Sequence, residues 1–388
     1  MNVRIRFKWQ ELYFVIMWLL AVCLYAMMPV GSGLLGVVYY GIHIITVGTF
    51  LALLWRSRIT NSFNASRLVA IAIICTAILL SAVASDQKIT FSKHIMGAVG
   101  FLEMLMAIYI IDSLEHKKEL IRFVFWANVV SALIFVRLYF TPYAYSSDIV
   151  GSLNLGYSNP NAAAIYLLMT FSILTIYFEK QERFLRKIAA LSLGVFLIYL
   201  IYLTKSRMCL VAAAIILVYR FFLPKWSVPK WTILIFQLIP FAFLFTYAYW
   251  YKQGMYSSEM FLGKEFFSGR EGYYIEMLDQ LRTTWIIGNF GRHFFENAHN
   301  GPLAILLGCG ALGFLAYLWF INSTIRYYLN GVETHRQKMA LVILFAVFVH
   351  SCGEAAMTVG GAHYSILTAT IYWILKGNGR NLVENSNA

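Results

Sequence analysis

The sequence predicts an all-α, polytopic integral membrane protein, and three observations lead to this fold class. The chain of 388 residues is 60% hydrophobic and only 13% charged, with a mean hydropathy of +0.67. The surface of a water-soluble domain needs far more charge than this. Apolar runs of about 17–21 residues recur along almost the whole chain, and each can cross a bilayer core of about 30 Å. The basic residues are concentrated in alternate connections between these runs.

The apolar runs are predicted to form twelve transmembrane helices within a single membrane domain that covers residues 1–388. A β-barrel would instead show short segments of alternating hydrophobicity. The first run has no cleavage site of small residues followed by a polar region, so we expect it to be retained rather than removed as a signal peptide. The predicted spans are residues 12–28, 35–55, 67–84, 94–111, 123–140, 162–178, 188–204, 209–223, 231–250, 301–321, 339–356 and 361–375.

The distribution of Lys and Arg predicts the orientation. One side of the membrane carries 21 of the 31 basic residues and 8 of the 18 acidic ones, and so holds the whole net charge of +13. By the positive-inside rule this side is cytoplasmic, with both termini inside. The excess of basic residues is therefore explained without nucleic acid as a partner. The basic side consists of the amino-terminal tail, residues 56–67, 112–122, 179–187, 220–230 and 326–338, and the carboxy-terminal tail.

The sequence contains no pattern that indicates a metal or a cofactor. Four of the five cysteines lie in apolar spans and Cys209 begins one, without the paired spacing of a disulfide or metal site. His293 and His299, with scattered carboxylates, do not have the spacing of a zinc site. Walker A loops and dinucleotide-binding motifs are missing as well. Any reaction is therefore expected to use a substrate that is already activated.

The longest polar segment, residues 251–300, is predicted to be an extracytoplasmic loop between spans nine and ten. Ser268 followed by Glu271 forms a Ser-x-x-Glu pattern, which is typical of a capping box at a helix start. Apolar residues then recur at helical spacing, which predicts an amphipathic helix over 271–285 at the outer membrane–water boundary. The apolar face consists of Tyr274, Leu278, Leu281 and Trp285.

Three cations on the predicted outer side lie where stability does not favour them. Arg270 lies at the first turn of the amphipathic helix, where a positive charge opposes the helix dipole. It is either an anion-binding residue or a solvated arginine. Lys205 and Arg207 lie in a tight outer hairpin, against the positive-inside bias. They either extend toward lipid phosphates or bind an anionic headgroup in a cavity.

Ionisable residues within or near the spans need partners. Glu103 and Arg137 are predicted to form a structural pair inside the membrane. Glu354, near the outer end of span eleven, is expected to pair with an arginine or with His299. His350 is expected to be an ordinary buried histidine. An Asn-Pro-Asn turn at 159–161 precedes span six, and a plain helix start is enough to explain it.

The segment "FENAHNGPLAILLGCGALG", residues 295–313, begins polar and becomes apolar within a few residues. Asn300 beside Pro302 predicts a helix cap. Gly310 and Gly313 predict close helix packing. Neither feature explains His299, which the topology places at the outer membrane surface.

Taken together, these features resemble the O-antigen ligase and polymerase superfamily of bacterial envelope glycan enzymes. His299-Asn300, nine further residues and then Gly310-x-x-Gly313 match the family's H-[NSQ]-x9-G-x-x-G pattern. Four further features agree with the family: the "TKSR" hairpin, the "SGR" helix start, the "NPN" turn, and an acidic residue after a glycine late in the chain. With the twelve predicted spans, the resemblance covers nearly the whole chain.

The resemblance implies a GT-C-like glycosyltransferase in the bacterial cytoplasmic membrane that works without a metal or cofactor. Its donor would be an oligosaccharide linked to undecaprenyl pyrophosphate, and its acceptor a sugar hydroxyl at the outer face. Arg207 and Arg270 would hold the pyrophosphate, and His299 would act near the acceptor. Membrane lipid and a chain-length regulator are further partners that the family implies. The remaining residues expected to contact substrate are Lys205, Arg292, Glu354 and Asn300.

Four functions stay open at this level. A repeat-unit polymerase and an O-antigen ligase use the same donor and differ in acceptor, which is another lipid-linked repeat or a lipid A–core sugar. Family likeness favours the polymerase, and a protein O-oligosaccharyltransferase is a more distant alternative. A lipid-linked glycan transporter would instead require broken helices, inverted repeats and charges near the bilayer midplane. Here the unusual charges cluster at the predicted outer face.

Overall fold

A computed structural model of the protein describes residues 8–27, 32–56, 62–145, 151–177, 184–223, 232–262, 264–267, 270–292, 299–329, 334–355 and 362–377. These residues form a bundle of thirteen α-helices and one short β-hairpin. The helices are α1 (Trp9–Met27), α2 (Ser32–Arg56), α3 (Ser62–Ala84), α4 (Met96–Ile111), α5 (Lys118–Tyr139), α6 (Pro160–Tyr177), α7 (Phe184–Leu203), α8 (Arg207–Phe222), α9 (Thr232–Lys252), α10 (Glu271–Thr284), α11 (Gly301–Tyr328), α12 (His335–His350) and α13 (Ala362–Lys376).

Each predicted span coincides with one of these helices, and α10 is the predicted amphipathic helix. In the described part of the chain, eight helices are long and apolar enough to cross a membrane: α1 to α6, α9 and α11. The span through α4 also includes a π-helical turn at Phe91–Ile95. The fold class, an all-α membrane protein, is therefore confirmed. The number of twelve crossings and their orientation stay predictions.

Two short helices, α12 and α13, lie inside the bundle. α12 has 16 residues and α13 has 15, so each is about 24 Å long or less at 1.5 Å per residue. Residues 364–375 of α13 are all buried, and the helix packs against α4 and α12. Trp18 on α1 donates a hydrogen bond to Thr370 on α13 at 3.1 Å. The contact between α1 and α13 thus connects the beginning of the chain to its end.

Helix α11 is broken at its tenth residue, Gly310, which the sequence interpretation missed. Gly310 has φ +65° and ψ −176°, so its backbone leaves the helical conformation. The chain after α10 fills the break, because Ala311 N donates to Trp285 O at 2.8 Å and Asn289 N donates to Leu307 O at 2.7 Å. A Cβ at position 310 would lie 2.3 Å from the carbonyl oxygen of Ile286. Gly310 therefore admits a loop rather than a helix.

The packing role predicted for Gly313 agrees with the structure. A Cβ at this position would lie 3.2 Å from Cβ of Ala77 on α3, and 2.4 Å from the Cys309 sulfur of its own helix. A larger residue at 313 would push α3 and α11 apart. The two glycines of the same motif thus have different roles.

The predicted pair of Glu103 and Arg137 is wrong. Glu103 on α4 is buried, and its Oε1 atom lies 2.7 Å from Nδ1 of His43 on α2. Arg137 near the end of α5 is exposed. The reason is that α4 packs directly on α2, which sequence spacing does not reveal.

Candidate active site

Glu354 joins the two residues that the sequence marks as chemically unusual on the outer side. Its Oε1 atom forms an ion pair with Nη2 of Arg270, and its Oε2 atom lies 3.2 Å from Nδ1 of His299. The carboxylate is 11% exposed, the guanidinium 21% and the imidazole 31%. The three residues come from separate segments of the chain, and the imidazole is the one most open to a substrate.

The position of Glu354 follows from where α12 ends. The sequence predicts a span to residue 356, whereas the helix ends at His350 and a turn covers residues 351–353. Ser351 O in this turn accepts a hydrogen bond from Gly301 N at 3.1 Å. The turn after α12 is therefore tied directly to the start of α11, beside His299. His350 itself is fully buried, as predicted, and its Nε2 lies 3.3 Å from the Cys209 sulfur. The expectation that a buried histidine has its hydrogen bonds satisfied holds only in part, because Nδ1 has no partner among the described residues.

The backbone around His299 is held by two side chains. His299 has φ +46°, in the left-handed region that a non-glycine residue rarely adopts. The Tyr274 hydroxyl donates to its carbonyl oxygen at 2.9 Å. Asn300 caps α11, since its Oδ1 accepts from Leu303 N at 3.2 Å, and its Nδ2 donates to Pro240 O at 2.9 Å. The cap predicted for Asn300 is present. It fixes where α11 begins, directly after His299.

Arg270 is held by a second contact beside the carboxylate. Its Nη1 donates to the carbonyl oxygen of Gly353. A Cβ at position 353 would lie 2.6 Å from Cγ of Met208 and 3.3 Å from Nη1 of Arg270. Only glycine therefore lets this backbone approach both α8 and the guanidinium. Ser268, the proposed capping residue before Arg270, lies outside the described residues.

The charge state of Glu354 follows from its neighbours. Burial alone would raise the pKa of this carboxyl, but the Arg270 guanidinium and the His299 imidazole outweigh burial and lower the pKa to about 2. The group is thus ionised at neutral pH and can only accept hydrogen bonds. It follows that Nδ1 of His299 carries the hydrogen that faces Glu354, and that Nε2 is the ring nitrogen left to exchange a proton with a substrate.

More cations lie next to this group. Arg207 is the first residue of α8, and Lys205 lies in the preceding turn with φ +56°. The β-hairpin pairs Met260–Phe261 with Lys264–Glu265, and Phe261 is directly opposite Lys264. The Arg207 guanidinium carbon lies 5.9 Å from the centre of the Phe261 ring. The hairpin therefore brings Lys264 to the same region as Arg207.

Electrostatics supports this placement of Lys264. Partial burial lowers the pKa of its ammonium group, and the positive charges of Arg207, Arg270 and Lys205 lower it further. Glu354 acts in the opposite direction. Sequence reasoning missed Lys264, because a hairpin of two-residue strands in a polar loop leaves no hydrophobic periodicity to recognise.

Aromatic contacts fix the hairpin to the helices. The Tyr247 hydroxyl on α9 donates to the carbonyl oxygen of Phe267. The Phe266 ring stacks on Tyr256 with centroids 5.0 Å apart, and the rings of Tyr247 and Tyr274 are 5.4 Å apart. One set of aromatic contacts thus connects α9, the hairpin and α10, and so positions Lys264 relative to Arg270.

Asn161 and Arg292 differ from expectation in whether they reach Glu354. Asn161, at the start of α6, donates from Nδ2 to Oε1 of Glu354 at 2.6 Å, although sequence reasoning gave it no role at the site. Arg292, which the sequence analysis placed among the substrate residues, has its Nη2 3.5 Å from Oε1 of Glu276 on the exposed side of α10. The structure does not bring Arg292 to Glu354, Arg270 and His299. That Arg292 contacts the substrate stays a prediction.

An apolar cavity of about 610 Å³ lies between α9, α10 and α11. It runs along the flank of α10, the helix that begins next to Arg270, and it is partly open. Its apolar lining includes Phe245, Tyr249, Leu278, Leu281, Trp285 and Leu306, and its charged lining consists of Lys252, Asp279 and Arg282.

Within the described ranges, no group of three or more His, Cys, Asp or Glu residues has a geometry that could hold a metal ion. Comparison with protein-family models, with curated proteins and with solved structures finds no match to this chain.

Proposed function

We propose that the protein is a membrane glycosyltransferase that moves a glycan from undecaprenyl pyrophosphate to a sugar hydroxyl at the outer face of the bacterial cytoplasmic membrane. The observation that carries this proposal is the single carboxylate of Glu354 bound to both Arg270 and His299. A permanent cation and a base are the two groups that such a transfer requires. The family resemblance of the sequence agrees with it.

The donor side of the proposal rests on charge. Lys264 lies within electrostatic range of Arg207, Arg270, Lys205 and Glu354. Together these five groups carry a formal excess of three positive charges. A lipid diphosphate carries two to three negative charges and is a good leaving group only when these are neutralised. Guanidinium groups are always charged and bind phosphate oxygens in a bidentate manner. They can therefore stabilise the developing charge in place of a metal ion.

The acceptor side rests on His299. The acceptor hydroxyl oxygen forms a bond to the anomeric carbon of the donor, while the bond from that carbon to the pyrophosphate oxygen breaks. The hydroxyl proton passes to Nε2 of His299, and undecaprenyl pyrophosphate leaves. Glu354 stabilises the imidazolium that forms, because its carboxylate faces Nδ1 at 3.2 Å. The proton then returns to solvent.

The lipid part of the donor fits the apolar cavity beside α10. This helix begins at the Arg270 end and continues along the cavity to Trp285. With a phosphate group at Arg270, the hydrocarbon chain would follow α10 toward this cavity, where Leu278, Leu281 and Trp285 offer an apolar surface. The surrounding bilayer is then the source of the donor.

We favour a repeat-unit polymerase of an O-antigen, capsule or exopolysaccharide pathway, with an O-antigen ligase as the alternative. Both need the same donor site. A transporter is less well supported. Helix α11 is broken at Gly310, but the protein's own residues 285–289 bond to Ala311 N and Leu307 O at the break. In a transporter, broken helices turn such backbone groups toward the substrate or ion instead.

Purified protein in detergent, supplied with a lipid-linked repeat unit, tests this proposal. A ladder of products indicates a polymerase, and a product formed only when lipid A–core is added indicates a ligase. An Arg207→Ala variant should lose most of the activity in either case. A lipid-linked glycan that stays unchanged under both conditions would rule out transfer and leave a carrier.

A further inference from the structure

The Asn-Pro-Asn turn before α6 contains two asparagines with different contacts. Asn159 Oδ1 accepts a hydrogen bond from Asn161 N at 2.8 Å, which is the bond of a helix N-cap, and Pro160 follows as the first helical residue. Asn159 and Pro160 are thus sufficient to start the helix. The side-chain amide of Asn161 makes a different contact, because its Nδ2 donates to Oε1 of Glu354 at 2.6 Å.

This contact acts on a carboxylate that could otherwise bind differently. Oε1 of Glu354 receives Arg270 and Asn161, and Oε2 faces His299. The last torsion of a glutamate side chain is broad. A carboxylate free to rotate would turn both oxygens to the guanidinium, the preferred bidentate geometry of an arginine. It would then leave His299.

We infer that Asn161 is a positioning residue, which holds the Glu354 carboxylate so that one oxygen serves Arg270 and the other serves His299. This inference rests on the proposed function, because the division matters only if the cation and the base act in the same reaction. Asn161 itself need not touch the substrate. Asn161 lies 193 residues before Glu354 in the sequence, and its side chain connects α6 to the site.

Asn161→Ala, compared with Asn159→Ala, gives the first test. Removal of the Asn161 amide should lower kcat on the order of ten- to a hundredfold, since a small misplacement of a catalytic group has effects of that size. The donor KM should change by less than about twofold, because Arg270 keeps its bond to Gly353. Asn159→Ala removes the cap of the same helix and should leave kcat nearly unchanged. Equal losses in the two variants would overturn the inference.

Asn161→Asp tests whether the donated hydrogen is what matters. The new carboxylate has the same size but faces the ionised Glu354, and an ionised carboxylate can only accept hydrogen bonds. Asn161→Asp should therefore lose at least as much kcat as Asn161→Ala at about pH 7 to 8. An Asn161→Asp variant with the kcat of the wild type would contradict the inference.

A third measurement does not depend on catalysis. Thermal unfolding of Asn161→Ala, Glu354→Ala and the double variant forms a double-mutant cycle. We expect the loss of Tm in the double variant to be smaller than the sum of the single losses, and additive losses would show that the two side chains do not interact. If the cycle shows coupling while the wild type transfers no glycan, the proposed function fails and the contact stands.

Discussion

Glu354 shows how one residue can depend on several neighbours. A carboxylate with little exposure to water is costly unless it is paired and hydrogen-bonded. Here the Arg270 guanidinium, the His299 imidazole and the Asn161 amide share that task. The same contacts keep the Glu354 carboxylate ionised, fix the tautomer of His299 and hold the Arg270 side chain in place. The local stability and the proposed chemistry therefore depend on the same few atoms.

The ionised state of Glu354 has a consequence for stability against pH. Its pKa is lowered from the ordinary 4.5 to about 2 in the folded protein. A lowered pKa contributes stability that is fully present above the unfolded value and is lost as the pH falls through the folded value. The difference in Tm between the wild type and Glu354→Gln should thus be constant from pH 8 to pH 6 and shrink between about pH 4.5 and pH 3. A constant difference over the whole range would show that the carboxylate is not ionised in this way.

His299 is expected to contribute as a general base. Replacement by alanine should reduce turnover by about 10²–10⁴-fold, the usual contribution of such a base, while the protein stays folded. His335 serves as a matched control. It is the first residue of α12, away from the site, and it contacts Arg220 on α8. His335→Ala should keep its turnover. Turnover in the purified system, with thermal unfolding measured in parallel, checks both variants, and an active His299→Ala protein would disprove the assignment.

At the scale of elements, the start of α10 explains how an arginine is tolerated at a positive helix end. Arg270 is the N-cap residue, and its side chain does not cap the helix. A cation there opposes the dipole of α10. The ion pair with Glu354 and the bond to Gly353 O compensate for this, so the unfavourable position is kept by contacts from another segment.

The β-hairpin before α10 leads to a prediction about Lys264. If its ammonium group binds the donor diphosphate, Lys264→Ala should raise the donor KM by about ten- to a hundredfold, which corresponds to one hydrogen bond to a charged group. The value of kcat should change little. Lys93→Ala is the control, because Lys93 is an exposed lysine that the topology also places outside. Steady-state kinetics with varied donor decides, and unchanged KM in Lys264→Ala would remove this residue from the site.

The break in α11 leads to a prediction about Gly310. Alanine at this position would be strained at φ +65°, at a cost of about 1–3 kcal/mol, and its Cβ would also collide with Ile286 O. We therefore expect a clear loss of Tm. Gly48→Ala is the control, since nothing lies within 4 Å of a Cβ there and a helical glycine costs about 0.5–1 kcal/mol relative to alanine. Equal Tm values for the two variants would show that the break is not required.

At the scale of the whole molecule, the asymmetry of charge predicts the orientation. The site residues Arg207, Arg270, His299 and Glu354 should all face outside if the termini are inside. A single cysteine at Ser257→Cys, in a background without the native cysteines, should react with an impermeant maleimide in intact cells. Glu119→Cys, at the exposed start of α5, should react only after the membrane is opened. The reverse pattern would invert the topology and exclude an outer active site.

Much of the architecture could be predicted from the sequence because it depends on local properties. The length and apolarity of each run determine a helix in a bilayer, and all twelve runs coincide with helices. The amphipathic period over 271–285 predicted α10, and Asn300 beside Pro302 predicted the cap of α11. The positions of Arg207, Arg270 and His299 as unusual polar residues also follow from the sequence alone.

Only the tertiary structure decided which of these residues meet. Glu354 was expected to take one partner and has three, which are Arg270, His299 and Asn161. Glu103 pairs with His43 rather than Arg137, and Gly310 admits a loop instead of a neighbouring helix. Lys264 and Asn161 came to the site through a short hairpin and a helix start with no hydrophobic pattern of their own. The physical reason is the same in each case. Apolar length and helical period are properties of neighbouring residues, whereas these contacts depend on how the helices pack in three dimensions, which local patterns do not specify.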